Sequence, residues 1–103
     1  MPIYQTARYQ VKASAVDKVK SAIAEFVDYV ARSEPGTRMY TAWQQEDDPT
    51  VFVHLFEFAD EAAHETHGCS DAVRQFEAVY GPELTDGPVV FTDYLQIATN
   101  RRP

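Results

Sequence analysis

The stretch from Val51 to His67, VFVHLFEFADEAAHETH, does most to limit what this chain can fold into. Val51, Phe52, Val53, Leu55, Phe56 and Phe58 are β-branched or aromatic, in a run too short for an ordinary helix. The run is apolar on both alternating faces, so it reads as a strand covered on both sides. Asp60 then stands where an N-cap belongs, and Glu61 puts negative charge in the first turn, where the helix dipole favours it. The spacing therefore changes from strand to helix at Ala59-Asp60, and the helix carries His64 and His67.

The flanking segments repeat this grammar. Ile3 to Val11 reads as a first strand, with Ile3, Gln5, Ala7, Tyr9 and Val11 alternating against Tyr4, Thr6, Arg8 and Gln10. Ser14 and Asp17 form a shortened capping box for a helix whose stripe is Val16, Val19, Ile23, Phe26 and Val30. Glu34-Pro35-Gly36 ends that helix, since proline disfavours helix in the residue before it and glycine takes the turn. Thr37 to Gln45, with Met39, Tyr40, Ala42 and Trp43, is a second strand. The acidic turn Glu46-Asp47-Asp48-Pro49 folds it back antiparallel onto the Val51 strand. Gly68-Cys69 breaks the histidine helix, and Ser70 caps a further one bearing Val73, Phe76 and Tyr80, which Gly81-Pro82 stops. Glu83 to Pro88 reads as a turn-rich connection, Val89 to Ile97 as the last strand, and Asn100-Arg101-Arg102-Pro103 as a tail expected to fray.

The order β-α-β-β-α-β predicts an α+β, ferredoxin-like fold, an antiparallel sheet with helices on one face, in a single domain over residues 1–103. Helices cover one face, yet the second, third and fourth strands look apolar on both. The economical cover for the other face is a second copy, which predicts a homodimer with sheets packed face to face. A net charge of -7 repels phosphate backbones and argues against nucleic-acid binding. The start of the chain lacks a secretory pattern, and no stretch approaches the roughly twenty apolar residues of a membrane span, so a soluble cytoplasmic protein with no membrane partner is expected. Cys69, the one cysteine, precludes an intrachain disulfide and fits a reducing compartment.

Glu34-Pro35-Gly36, the Tyr40 strand, the Asp48-Pro49 turn, Glu57 before Phe58, Asp60-Glu61-Ala62, and His67 followed by Ser70 and Phe76 together resemble the antibiotic biosynthesis monooxygenase domain family, from Tyr4 to Ile97. The resemblance implies a dimeric α/β barrel. It also implies a range of chemistries: cofactor-independent oxygenation of polycyclic phenols to quinones, haem degradation, and small-molecule isomerisation. The haem-degrading branch has an asparagine on the first strand and a tryptophan at the end of the third. Here the first strand has no asparagine and Phe58 stands in the tryptophan's place, which disfavours haem. Many relatives carry a second histidine shortly after the residue matching Ser70, where this chain reads Asp71-Ala72.

An oxygenase without flavin or metal needs a base, a dry pocket and a hydrogen bond to a developing oxyanion. His67 is the best base on offer, near neutral in its ordinary pKa and fixed on a capped helix; the alternative is a helix-end histidine bonded to a carbonyl or a partner. His54, mid-strand on the face of Phe52, Phe56 and Phe58, is a second candidate or a satisfied core histidine. Glu57, on the opposite face, is a proton acceptor or a structural hydrogen-bonding group. Tyr9, Tyr40, Trp43, Phe58, Phe76 and Tyr80 are candidates to pack against a planar aromatic substrate, or plain core. His64 and His67 lack the spacing of a helical zinc pair, and with Cys69 and Glu65 they make a weak metal signal, so neither metal nor other cofactor is expected. The leading expectation is a dimeric monooxygenase-like enzyme using His67 as base on an aromatic or enolisable small molecule. A non-catalytic binding or structural dimer, or a proton-transfer isomerase, is the alternative.

Overall fold

The computed structural model describes residues 1–101, so Arg102 and Pro103 of the expected fraying tail lie outside the described residues. Four strands, β1 (Ile3–Val11), β2 (Thr37–Gln44), β3 (Val51–Phe58) and β4 (Leu84–Tyr94), form an antiparallel sheet in the order β2-β3-β1-β4. Three α-helices, α1 (Val16–Ser33), α2 (Glu61–Gly68) and α3 (Asp71–Tyr80), connect them, giving the ferredoxin-like α+β fold. Among the described residues no helix is long and apolar enough to cross a membrane.

Helix α1 buries Val19, Ile23, Phe26 and Val30, and α3 buries Phe76 and Tyr80, both against the side chains of Tyr9, Val11 and Phe52 on the sheet. A smaller cluster of Ala7, Phe56 and Phe58 lies beneath α2. The caps that seat α2 and α3 are side-chain oxygens: Asp60 Oδ1 accepts from the Ala63 amide at 2.9 Å and Ser70 Oγ from the Val73 amide at 3.1 Å. Each fills a donor that the first helical turn leaves unpaired. Ser14 does not act this way. It lies inside a single 3-10 turn, Ala13–Ala15, which takes the chain into α1 with Ala15 at the cap and no side-chain bond.

Strand β4 departs from expectation at both ends. Leu84 and Thr85 already pair with Val11 and Gln10, after which Asp86 and Gly87 take positive φ of 59° and 96° and pairing resumes at Val90 opposite Arg8. The Asp-Gly-Pro segment is thus a bulge within a strand, not a connection before one. The far end stops at Tyr94, opposite Tyr4, because β1 has almost no residues left to pair with Leu95 to Ile97.

Helix α2 approaches the turn that leads into β2 very closely at one point. A methyl group on Gly36 would lie 2.6 Å from Ala63 Cβ, inside van der Waals contact. Gly36→Ala is therefore expected to destabilise the fold by roughly 1–3 kcal/mol. Urea denaturation checks it, and adding Ala63→Gly to that variant should restore most of the loss.

Candidate functional site

Between the sheet and the helices lies a half-open cavity of about 470 Å³. Its floor is Ala7, Tyr9, Tyr40, His54 and Phe56 from the sheet. Its walls are Phe26 from α1, His64 and His67 from α2, and Val73, Phe76 and Tyr80 from α3, with Phe91 of β4 among its lining. Strand alternation explains the floor: Tyr9, His54 and Tyr40 each stand on the helix-covered side, with Ala7 and Ala42 opposite His54 in register. Those two small neighbours leave room above the imidazole.

His67 sits in the last turn of α2, its ring 5.2 Å from Phe58, 5.5 Å from Phe26 and 5.6 Å from Tyr40. Its Nδ1 donates to Glu34 Oε1 at 2.8 Å. Glu34 is itself 6% exposed, and Thr37 Oγ1 donates to the same oxygen at 2.8 Å. Glu34 Oε2 is buried with no partner among the described residues. The carboxylate is placed by the end of α1: Glu34 is the C-cap, its amide closing on Val30 O and its carbonyl accepting from Thr37 N, each at 3.0 Å. A buried carboxylate at the negative end of a helix dipole does not serve the helix. What it does is hold the imidazole by Nδ1, so that Nε2 is the ring nitrogen not engaged by the carboxylate.

His54 is 1% exposed and bonded through both ring nitrogens, Nε2 to Tyr9 Oη at 2.8 Å and Nδ1 to Tyr40 Oη at 2.7 Å. Burial lowers its pKa from 6.5 to about 4, so the ring is neutral at pH 7. Burial raises Tyr9 and Tyr40 well above the ordinary phenol range, and pushes Tyr80 up to about 12 with a smaller contribution from Glu77. All three phenols keep their protons. The unfolded His54 ring takes a proton near 6.5 and the folded ring only near 4, so its stabilising effect is complete above pH 6.5 and disappears as pH falls toward 4. The loss expected from this residue is roughly 3 kcal/mol. Urea midpoints between pH 7.5 and 4.5 measure it, and a His54→Leu protein that keeps the full slope would refute the assignment.

Six of the residues singled out from sequence, His67, His54, Tyr9, Tyr40, Phe76 and Tyr80, line one cavity. Three do not. Trp43 is on the other side of the sheet and 59% exposed, because Ala42, not Trp43, shares the His54 side of β2. Glu57 also faces away from the cavity, where Arg101 Nη2 donates to its Oε1 at 2.7 Å and Arg38 Nη1 lies 3.7 Å from Oε2. Phe58 is fully buried under α2, packed on His64 and His67 without reaching the cavity. Glu34 was legible only as part of the Glu34-Pro35-Gly36 turn, since its partner stands 33 residues on. Among the described residues no group of three or more His, Cys, Asp or Glu side chains could hold a metal ion.

Compared with known proteins, residues 2–79 match the family model described as antibiotic biosynthesis monooxygenase. A solved structure of a candidate antibiotic biosynthesis monooxygenase from Bacteroides thetaiotaomicron superposes with a TM-score of 0.88 at 16% identity, covering 99% of this chain and 95% of that one. A protein of Mycobacterium tuberculosis superposes with a TM-score of 0.85 at 20% identity, covering 98% of this chain and all (100%) of that one. A further antibiotic biosynthesis monooxygenase structure is 26% identical with a TM-score of 0.78, covering 91% of this chain and 99% of that one. No curated protein matches the chain.

Proposed function

The chain belongs to the antibiotic biosynthesis monooxygenase family, and from that premise we propose that it is a monooxygenase-like enzyme acting with molecular oxygen on an aromatic or enolisable small molecule, with no tightly bound cofactor. The observation that carries the reading is the Glu34–His67 pair at the wall of an aromatic-lined cavity of about 470 Å³, a volume suited to a small ring system. His67 takes the acidic proton of a phenol or enol. The resulting anion is electron-rich enough to pass one electron to oxygen, and the two radicals combine to a peroxide. The peroxide takes that proton back from His67, and loss of water, made from its terminal OH and the one hydrogen on the oxygenated carbon, leaves a carbonyl where the phenol or enol had a C–H, so one oxygen atom enters the product and the other leaves as water. The protein's share is to orient, deprotonate and exclude solvent.

An oxygen electrode, with product analysis, tests this on a panel of hydroxylated polycyclic aromatics and enolisable ketones. Oxygen uptake matched one to one by oxidised product is expected for at least one compound. Conversion without oxygen uptake would replace the oxygenase by a proton-transfer isomerase, and binding without conversion would leave a binding dimer.

The cavity-free side of the sheet supports a homodimer. Trp43, Val90 and Tyr94 are each more than half exposed there, and Leu95 and Ile97 stand 88% and 92% exposed beyond the paired end of β4. An exposed apolar sheet face of this kind is what a twofold dimer buries. Sedimentation equilibrium should return twice the 11.7 kDa chain mass, and Val90→Asp should lower it toward one.

A further inference from the structure

The Tyr9–His54–Tyr40 floor of the cavity holds one more proton than its own hydrogen bonds can use. Two phenol hydroxyls and one neutral imidazole bring three protons, but the contacts at 2.8 and 2.7 Å use only two of them. A neutral imidazole is a donor at one nitrogen and an acceptor at the other. One tyrosine therefore donates to the ring, the other accepts from the ring N–H, and the accepting tyrosine has its own O–H left over. Neither hydroxyl makes another hydrogen bond among the described residues, and both tyrosines line the cavity. A buried donor without an acceptor is costly, so the surplus O–H asks for an acceptor from the cavity. Exchanging the His54 tautomer exchanges the two tyrosines' parts, so either hydroxyl can be the one left over.

We propose that Tyr9, His54 and Tyr40 form the oxygen-recognition end of the cavity, binding a carbonyl, enolate or phenolate oxygen of the ligand through whichever tyrosine hydroxyl the His54 tautomer releases. Resting on the reading of this cavity as a substrate site, the assignment narrows the ligand class to one with an acceptor oxygen at the end opposite a purely apolar body. His54 is a positioning residue here: it touches the tyrosines and not the ligand. With two of the three protons engaged within the trio, the floor offers the ligand one O–H donor, which an acceptor oxygen satisfies.

The full-length protein labelled with 15N-histidine, titrated with 4-nitrophenol as probe, tests this by NMR. Free protein should show His54 ring nitrogens with averaged, intermediate character. Saturation with the probe should move them toward a single tautomer, because the tyrosine that donates to the probe must accept from one particular ring nitrogen. Probe affinity supplies the second readout. Tyr9→Phe and Tyr40→Phe should each weaken binding by less than about 1.5-fold, since the remaining tyrosine takes over, while the double variant should lose about tenfold or more, well beyond the product of the two single losses. Ring nitrogens that do not move at saturation, a doubly protonated ring at pH 7, additive losses from the single variants, or no probe binding would each overturn the assignment. The wild-type titration decides even if a variant fails to fold. If the probe fixes the tautomer while no phenol or enol is oxidised, the oxygenase reading falls and this recognition site stands; if oxidation proceeds while His54 stays unmoved, the recognition site alone falls.

Discussion

His67→Ala is expected to lower turnover of any substrate found for this protein by about 10²–10⁴-fold, with KM changed far less. The size follows from the role: a positioned base removes a proton only in the transition state, so its loss appears in kcat and not in ground-state binding. The geometry makes the role specific. Glu34 accepts from Nδ1 at 2.8 Å and so fixes which nitrogen is left to act. Glu34→Gln keeps an oxygen that can accept that bond but removes the charge that favours the imidazolium formed on proton abstraction, and should cost about 10–100-fold. Two observations separate a base from a structural histidine. Exogenous imidazole should recover part of the His67→Ala activity by entering the space vacated at the cavity wall, and should do nothing for Glu34→Gln. Full activity in His67→Ala would end the assignment outright.

How far the sequence reached depends on the range of the interaction being read. Alternation and capping are local, which is why Asp60, Ser70, the β2–β3 turn and the Val19, Ile23, Phe26, Val30 stripe are where their spacing puts them. Local signals failed where two of them competed. Asp86-Gly87-Pro88 has turn chemistry, but Leu84 and Thr85 find partners on β1, and a bulge satisfies both demands. Trp43 is a pocket candidate only as one of an aromatic set, whereas its place next to Ala42 decides its face: the strand parity that puts Glu57 opposite His54 also turns Trp43 away from the cavity. The Glu34–His67 and Tyr9–His54–Tyr40 contacts join residues 14 to 45 positions apart across separate elements, so no spacing rule exposes them. A family motif could show that Glu34 matters to the chain but not what it touches.

Phe58→Ala should be the most destabilising single truncation near the site, at about 3–5 kcal/mol. For a domain of this size that corresponds to a fall in Tm of the order of 15–30 °C. Phe58 has no solvent exposure and closes the end of β3, where it pairs with Ile3 and packs on Phe56 at 5.7 Å. It is also the floor under α2, a helix that has no fully buried residue of its own and is otherwise held by the Ala63–Gly36 approach and the His67–Glu34 hydrogen bond. The His64 and His67 rings rest on it at 5.1 and 5.2 Å. Removing the ring therefore takes away bulk beneath the element that carries the proposed base. Phe58→Leu separates the two consequences. Leucine refills most of the volume at a cost near 1.5 kcal/mol or less, so the protein stays folded at assay temperature. Its shape does not reproduce the ring against which the imidazole is tilted at 49°, and a misplacement of about 1 Å can cost on the order of 100-fold in rate. Calorimetry on both variants beside kcat on the leucine variant gives the answer: a leucine protein of near-normal stability and strongly reduced kcat assigns Phe58 to the positioning of His67, whereas unchanged kcat would make it core filling alone.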